Sequence, residues 1–353
     1  MSVERLGAFV SQWCFVALLA AATAAAIVVR RGHHALTAGR VPVGRVGPTR
    51  ASLRRLSVAA LLEALLGVAM ITPPGRAWQT PVGPTPITTR LPTAGGASQI
   101  YSVAVVDRPA WLVRVLFDRP GRTVGIDTPA FTRFARHTSD DNPPEILGAA
   151  YRYAGRPVEV TGDGVDVYAL GPHAHRLQVG DVIHTIGTDR VRTTNEYLAA
   201  ILHATAPLTM TITRHDTAMT VTFASGEPID AYTRARPGFG VNVGPDPTPI
   251  ATTRAIGSSD GLPLALGVLT TLHAMPAPTR AVVATGIVTI DGRVTPIGAV
   301  DTKAHAAQRL HPCVFLVPTA NLNTAHQAAP DVTIVGVDTL AAAVTAITTA
   351  HCS

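Results

Sequence analysis

The chain has 353 residues, 47% of them apolar and only 15% charged, with a formal net charge of +6. Such a length holds an anchor and roughly two globular units, and so small a charged share leans toward association with a membrane. The arginines cluster between two apolar stretches without interleaved aromatics, which sets aside nucleic acid as a partner.

Residues 6–29 contain no charged side chain and read as a transmembrane helix, long enough to cross a hydrocarbon core of about 30 Å. A cleaved signal peptide is the rival; the weakly basic start and the long apolar part argue against it. Residues 56–72 form a second, shorter stretch containing Glu63, a costly group in a bilayer unless it is protonated, paired or near an interface. Between them, residues 30–55 carry seven arginines and no acid, so the positive-inside rule places this loop in the cytoplasm. If both stretches span, everything after residue 73 lies outside the cytoplasm at the plasma membrane; if only one does, the orientation of the remainder is open. Residues 1–73 are thus expected to anchor the chain in a lipid bilayer, and 74–98, rich in Pro, Gly and Thr, to form an extended tether.

Strands are expected at Ile100–Val106 and Trp111–Phe117, and a helix over Asp140–Tyr153 with Pro143 and Pro144 in its first turn. Residues 99–157 are read as the first part of a domain that resumes at 223. The intervening residues, 158–222, form a unit of their own. Gly164–Ala169 is a strand, Leu177-Gln-Val-Gly-Asp-Val-Ile turns into another, Thr193–His203 has helical apolar spacing and Leu208–Arg214 alternates as a strand. This order, with its L-x-x-GD-x-I segment before a helix, resembles a bacterial PDZ domain. The resemblance implies a groove between the first strand and the helix, lined by Gly164, Val165, Val167, Leu198 and Ile201, where a peptide adds as an extra strand.

In the last part, Ile256–Leu269 is a turn entering an apolar helix, with Pro263 in its first turn. Ala281–Ile290 reads as one strand, Gly292-Arg-Val as a turn, and Val300–Leu310 as a helix. Val314–Pro318 and Val332–Val337 read as buried strands, and Asp338 as the cap of a closing helix. Lys303 is the single lysine of the chain, every other basic position being arginine. In an arginine-biased sequence, a retained lysine marks a place where arginine would fail. Arginine cannot be deprotonated in a protein, whereas a desolvated lysine can act as a base. The same fact removes any phosphate-binding P-loop, which needs its own lysine. HExxH and paired CxxC motifs are also absent from the sequence, so no metal site and no cofactor is expected. The thirteen histidines show no ligand spacing, although one of them, such as His273 or His305, remains open as the base of a Ser-His-Asp triad. Of the cysteines, Cys14 lies in an apolar run, and spacing leaves open whether Cys313 and Cys352 pair.

The segment Gly257-Ser258-Ser259-Asp260-Gly261 is followed by Thr285-Gly286-Ile287, Ile290-Asp291-Gly292-Arg293-Val294 and Pro296-Ile297-Gly298-Ala299-Val300-Asp301-Thr302-Lys303. These segments resemble the proteolytic domain of the Lon family, with its Gly-Pro-Ser-Ala-Gly nucleophile turn, Thr-Gly-x-Ile and Val-x-Pro-Ile-Gly-Gly-x-x-x-Lys. The resemblance implies an α/β Lon proteolytic domain with an inserted PDZ domain and N-terminal transmembrane helices. It places a serine nucleophile at Ser259 and its lysine base at Lys303, 303 − 259 = 44 residues on, with Thr285 holding the amine and Gly257 and Gly261 shaping the turn. Two departures stand out: the family proline is Ser258, a competing hydroxyl, and the family alanine is Asp260, a carboxylate beside the nucleophile. The second family glycine is Ala299.

Membrane span, PDZ and Lon-like domain in this order also resemble a group of ATP-independent bacterial cell-surface proteins. The implied activity is serine endopeptidase cleavage of unfolded or flexible protein segments, and the implied assembly a ring of identical chains. The rival is a catalytically inactive relative that binds peptides as an adaptor or sensor.

Overall fold

The computed structural model describes residues 76–81, 83–89, 91, 99–108, 122–125, 129–171, 174–203, 207–244 and 257–352. Both expected membrane spans, the arginine-rich loop and the Trp111–Phe117 strand lie outside the described residues. Among the described residues no helix is long and apolar enough to cross a membrane.

Strands β1 (Arg76–Pro81), β2 (Thr85–Pro86), β3 (Ile100–Ser102), β4 (Val105–Arg108) and β5 (Arg122–Gly125) precede a long helix, α1 (Pro129–Tyr153). The next elements are β6 (Glu159–Thr161), β7 (Val165–Leu170), β8 (Val182–Ile186), β9 (Asp189–Arg190), α2 (Thr194–His203), β10 (Leu208–Arg214), β11 (Thr217–Phe223), β12 (Ala231–Ala235) and β13 (Gly240–Asn242). The last part runs α3 (Gly261–Thr271), β14 (Val282–Ala284), β15 (Ile287–Val288), β16 (Val294–Thr295), α4 (Val300–Gln308), β17 (Val314–Pro318), α5 (Leu322–Ala328), β18 (Ile334–Val337) and α6 (Leu340–Thr349).

The chain divides into two compact units, residues 1–79 with 107–126, and residues 80–106 with 127–353. In the first, β1 pairs antiparallel with β5, Arg76 opposite Gly125.

The second unit contains a five-stranded sheet in the order β18-β17-β14-β3-β2. Its four longer strands are parallel, and β2 closes the edge antiparallel to β3. Strands so arranged are covered on both faces, which is why Val-Val-Ala and Val-Phe-Leu-Val-Pro are unbroken apolar runs. Val282, Ala284, Val314 and Leu316 pack with α1, α3 and α6 on one face. Val283, Phe315 and Val317 pack with α4 and α5 on the other.

Three expectations change here. The 74–98 stretch is not only a tether: Ile87 and Leu91 are fully buried against α3, where a Cβ on Gly267 would stand 2.2 Å from Ile87 Cδ1. Expected strand 100–106 is divided between β3 and β4. Helix α1 begins at Pro129, so Pro143 and Pro144 sit in its interior rather than its first turn. An interior proline costs about 3 kcal/mol; burial of Ile146, Ala149, Ala150 and Tyr151 in the sheet's core offsets it.

A second, antiparallel sheet is inserted between α1 and α3, in the order β11-β10-β8-β7-β12 with β9 beside β8. It has its own core, built on Val165, Val167, Ile183, Tyr197, Met210, Ile212 and Phe223. Entry and exit are joined, since β6 pairs antiparallel with β13. The sheet runs on to Ala235, past the expected boundary at 222. The expected peptide groove is filled by this continuation. Strand β12 pairs along β7 from Ala231 opposite Leu170 to Ala235 opposite Val165. From the other side, Thr194 Oγ1 donates to Thr233 O at 3.4 Å and Tyr197 Oη to Ala231 O at 3.3 Å. Val165 and Val167 are buried beneath this layer, and Leu198 and Ile201 pack on the same core. Gly164 has φ +79°, and a Cβ there would meet Val182 Cγ1 at 2.7 Å, so its role is to let β7 approach β8.

The start of α2 is seated on α1 through buried polar groups. Asp141 accepts from Thr194 N at 2.9 Å, Glu145 accepts from Thr193 Oγ1 and Asn195 Nδ2, and Asn195 Nδ2 also donates to Thr138 O at 3.1 Å. Desolvation pushes the Asp141 carboxyl up to about 6 against the Thr194 bonds that oppose it, and raises Glu145 well above the ordinary carboxylate range. A folded value above the unfolded one adds stability that is complete below pH ~4 and is lost as pH rises through about 6. Asp141→Asn is therefore expected to flatten the decline in melting temperature between about pH 4 and 6, a decline that is complete by about pH 7.5. At pH 7.5 it gains on the order of 2 kcal/mol over the wild type, and calorimetry across that range checks it. A further link, Arg293 Nη1 to Asp189 Oδ2 at 2.6 Å, ties the β15–β16 hairpin to β9.

Cys313 and Cys352 form a disulfide, joining the start of β17 to the chain after α6. With a sequence separation of 39, loop-closure entropy alone predicts a loss of about 4 kcal/mol for the Cys313→Ser, Cys352→Ser variant. Denaturant unfolding of the two forms measures this loss.

Candidate active site

Ser259 lies in a 3-10 turn, Ser258–Asp260, that runs directly into α3. Lys303 is in the first turns of α4, and Thr285 immediately follows β14. Helices α3 and α4 cover opposite faces of the parallel sheet, so these side chains meet at the carboxyl end of β14, where open α/β sheets form their crevices.

Lys303 Nζ donates to Ser259 Oγ at 2.8 Å and to Thr285 Oγ1 at 3.3 Å. Lys303 is 3% exposed and Thr285 is fully buried, while Ser259 keeps partial access to solvent. Ser258, the competing hydroxyl, is buried, and the lysine's bond goes to its neighbour. A lysine rather than a histidine thus stands at the serine oxygen. Asp260 is 1% exposed, so the carboxylate turns inward beside the nucleophile turn instead of toward solvent.

The backbone holds the serine from behind. Ser259 O accepts from Gly286 N at 2.8 Å and from Thr285 Oγ1 at 3.3 Å, and Leu262 N returns a bond to Gly286 O at 2.9 Å. These bonds explain why Ala281–Ile290 is not one strand. Thr285 N still bonds to Leu316 O of β17, but its hydroxyl and Gly286 N brace the turn, and the chain restarts as the antiparallel hairpin β15–β16. Close approach demands glycine at two places: a Cβ on Gly261 would stand 2.8 Å from Val288 N, and one on Gly286 2.7 Å from Val294 Cγ1. At Gly257 a Cβ would meet nothing within 4 Å among the described residues.

Helix α4 is aimed by Ala299 and Asn321. Ala299, its N-cap, is left-handed at φ 58°, ψ 33°, the conformation that a glycine adopts without strain. Asn321 pairs with both backbone groups of Ile297, accepting from its N–H at 2.9 Å and donating to its carbonyl at 3.1 Å. This carboxamide does the work of a neighbouring strand on the segment leading to Lys303. The expected cap of α6 also moves: Thr339, not Asp338, is the N-cap and accepts from Ala342 N at 3.0 Å.

The residues expected to share a peptide-binding groove do not form one, for the reason given by β12; those expected around the serine come together. Asn142, unnoticed in the sequence, is the side chain nearest this turn from α1: its Oδ1 lies 3.1 Å from where a Cβ on Gly261 would be.

A comparison with curated proteins finds no match for the chain. Residues 248–345 match the family model described as the Lon protease (S16) C-terminal proteolytic domain. The stretch that carries Ser259, Thr285 and Lys303 is therefore similar to the proteolytic domain of a serine peptidase family, and in this part the chain carries a Lon-type proteolytic domain.

Proposed function

We propose that the protein is an ATP-independent, membrane-anchored serine endopeptidase that acts through a Ser259–Lys303 dyad. The observation that carries this reading is the 2.8 Å bond from the buried Lys303 Nζ to Ser259 Oγ. A serine hydroxyl is a weak nucleophile until a base takes its proton. Lys303 takes that proton as a neutral amine, and its burial removes the water that would otherwise stabilise the charged form. The hydroxyl oxygen then attacks the scissile carbonyl and forms an acyl-enzyme, and the lysine returns the proton to the leaving amine.

Substrates under this reading are unfolded or flexible protein segments. The inserted sheet keeps its PDZ-like order, but an extended peptide does not add to β7 while β12 is paired there. The Cys313–Cys352 disulfide supports an oxidising compartment, hence a catalytic part on the outer side of the plasma membrane.

The test is degradation of an unstructured protein by the full chain in detergent, without nucleotide, beside Ser259→Ala. Fragments from the wild type alone are expected. One observation favours a second reading, an inactive relative serving as an adaptor or sensor: a carboxylate is buried next to the nucleophile. Under that reading the wild type is silent and Asp260→Ala gains activity.

A further inference from the structure

Four residues on about one turn of α1 face two different parts of the molecule. Asp141 and Glu145, one turn apart, receive the start of α2. Asn142, between them, stands against Gly261 at the end of the nucleophile turn. Ile146, the next residue, is fully buried in the core that contains Leu262 and Leu266 of α3. One short piece of helix therefore touches both the seat of the inserted sheet and the backbone that positions Ser259.

The same turn contains Pro143 and Pro144. Neither supplies an N–H, so the ladder lacks two donors there, and prolines are where helices bend at least cost. The contacts on either side are buried. Glu145 is fully buried and Asp141 is 8% exposed, so a shift of α2 strips these acceptors of their partners instead of exchanging them for water.

We propose that the turn Asp141–Ile146 is a positioning element for the nucleophile, setting the Ser259–Gly261 turn according to how α2 is seated, with Glu145 and Asn142 as its positioning residues. This rests on the reading of Ser259 and Lys303 as the dyad. It gives the inserted sheet a role that needs no open groove: whatever unseats α2 or β12 moves the serine. A displacement of about 1 Å at a reacting group is enough to cost on the order of a hundredfold in rate.

The experiment compares wild type, Glu145→Ala, Glu145→Gln and Asn142→Ala as full chains. It reads hydrogen exchange of the amides of residues 193–197 and 257–262, together with kcat and KM on a fluorogenic peptide. Glu145→Ala is expected to speed exchange in both segments and to lower kcat about tenfold, with KM held within about twofold. Glu145→Gln, which keeps the side-chain shape, recovers most of the loss. Asn142→Ala speeds exchange in 257–262 alone and lowers kcat by a similar factor. Faster exchange confined to 193–197 in Glu145→Ala, with 257–262 and kcat at wild-type values, overturns the proposal. Should the wild type hydrolyse nothing, the dyad reading fails, while the exchange comparison still decides whether α2 and the serine turn are linked. Should Glu145→Ala not fold, Thr193→Val and Asn195→Ala, each of which removes one donor to Glu145, carry the same comparison.

Discussion

Lys303→Arg is expected to lower peptide hydrolysis about a thousandfold, the order lost when a positioned general base is removed. Arginine keeps the positive charge and the capacity to donate to Ser259 Oγ, so a purely structural contact would survive the change. What it cannot do is give up its proton at any pH a protein tolerates. Burial sharpens the contrast, because the amine sits 2.8 Å from the serine and 3.3 Å from Thr285 at 3% exposure. Lys303→Met, with a stem of similar length and no amine, should lose as much while sparing the packing. Steady-state rates on a fluorogenic peptide, taken beside thermal unfolding of each variant, separate loss of the base from loss of the fold.

Gly261→Ala is expected to destabilise the protein by about 2 kcal/mol, typical of an overpacked site, and to lower kcat by at least tenfold, a modest share of what misplacing a nucleophile can cost. The added methyl would stand 2.8 Å from Val288 N and 3.1 Å from both Gly286 O and Asn142 Oδ1. Two of those three atoms are backbone, and they belong to the hairpin that also braces Ser259, so relief must come from moving the nucleophile turn itself. Gly257→Ala is the contrasting variant: its Cβ meets nothing within 4 Å, and its melting temperature should hardly change. Thermal unfolding and kcat of the two variants, measured together, check the difference.

The meeting of Ser259 and Lys303 was legible because motif order and an isolated lysine pointed to the same positions; α4 then places that lysine across the sheet from α3. The apolar runs at Val282 and Val314 were legible as strands because a parallel sheet buried on both faces leaves no alternation to confuse them. What failed did so for local reasons. Ala281–Ile290 has the composition of one long strand, and nothing in it reveals that the Thr285 and Gly286 amides turn to Leu316 O and Ser259 O. Ala231–Ala235 carries a tyrosine, a threonine and an arginine in five residues, too short and mixed to announce a strand. Its place beside β7 depends on a partner some 60 residues away in sequence, 231 − 170 = 61 at the nearest registered pair. Ile87 and Leu91 were hidden by the prolines and threonines around them. The Ala299 position shows the reverse: a departure from the family glycine that looked mild is a left-handed residue.

The central claim is that Ser259 is a nucleophile activated by Lys303, and trapping it covalently is the most direct test. The full chain is treated with a fluorophosphonate and the adduct is located by peptide mass spectrometry, beside Lys303→Arg and Ser259→Ala. A single adduct on Ser259, lost in both variants while their folds persist, is the result predicted here. An adduct on Ser258, or labelling of Ser259 that proceeds as fast in Lys303→Arg as in the wild type, would contradict the dyad.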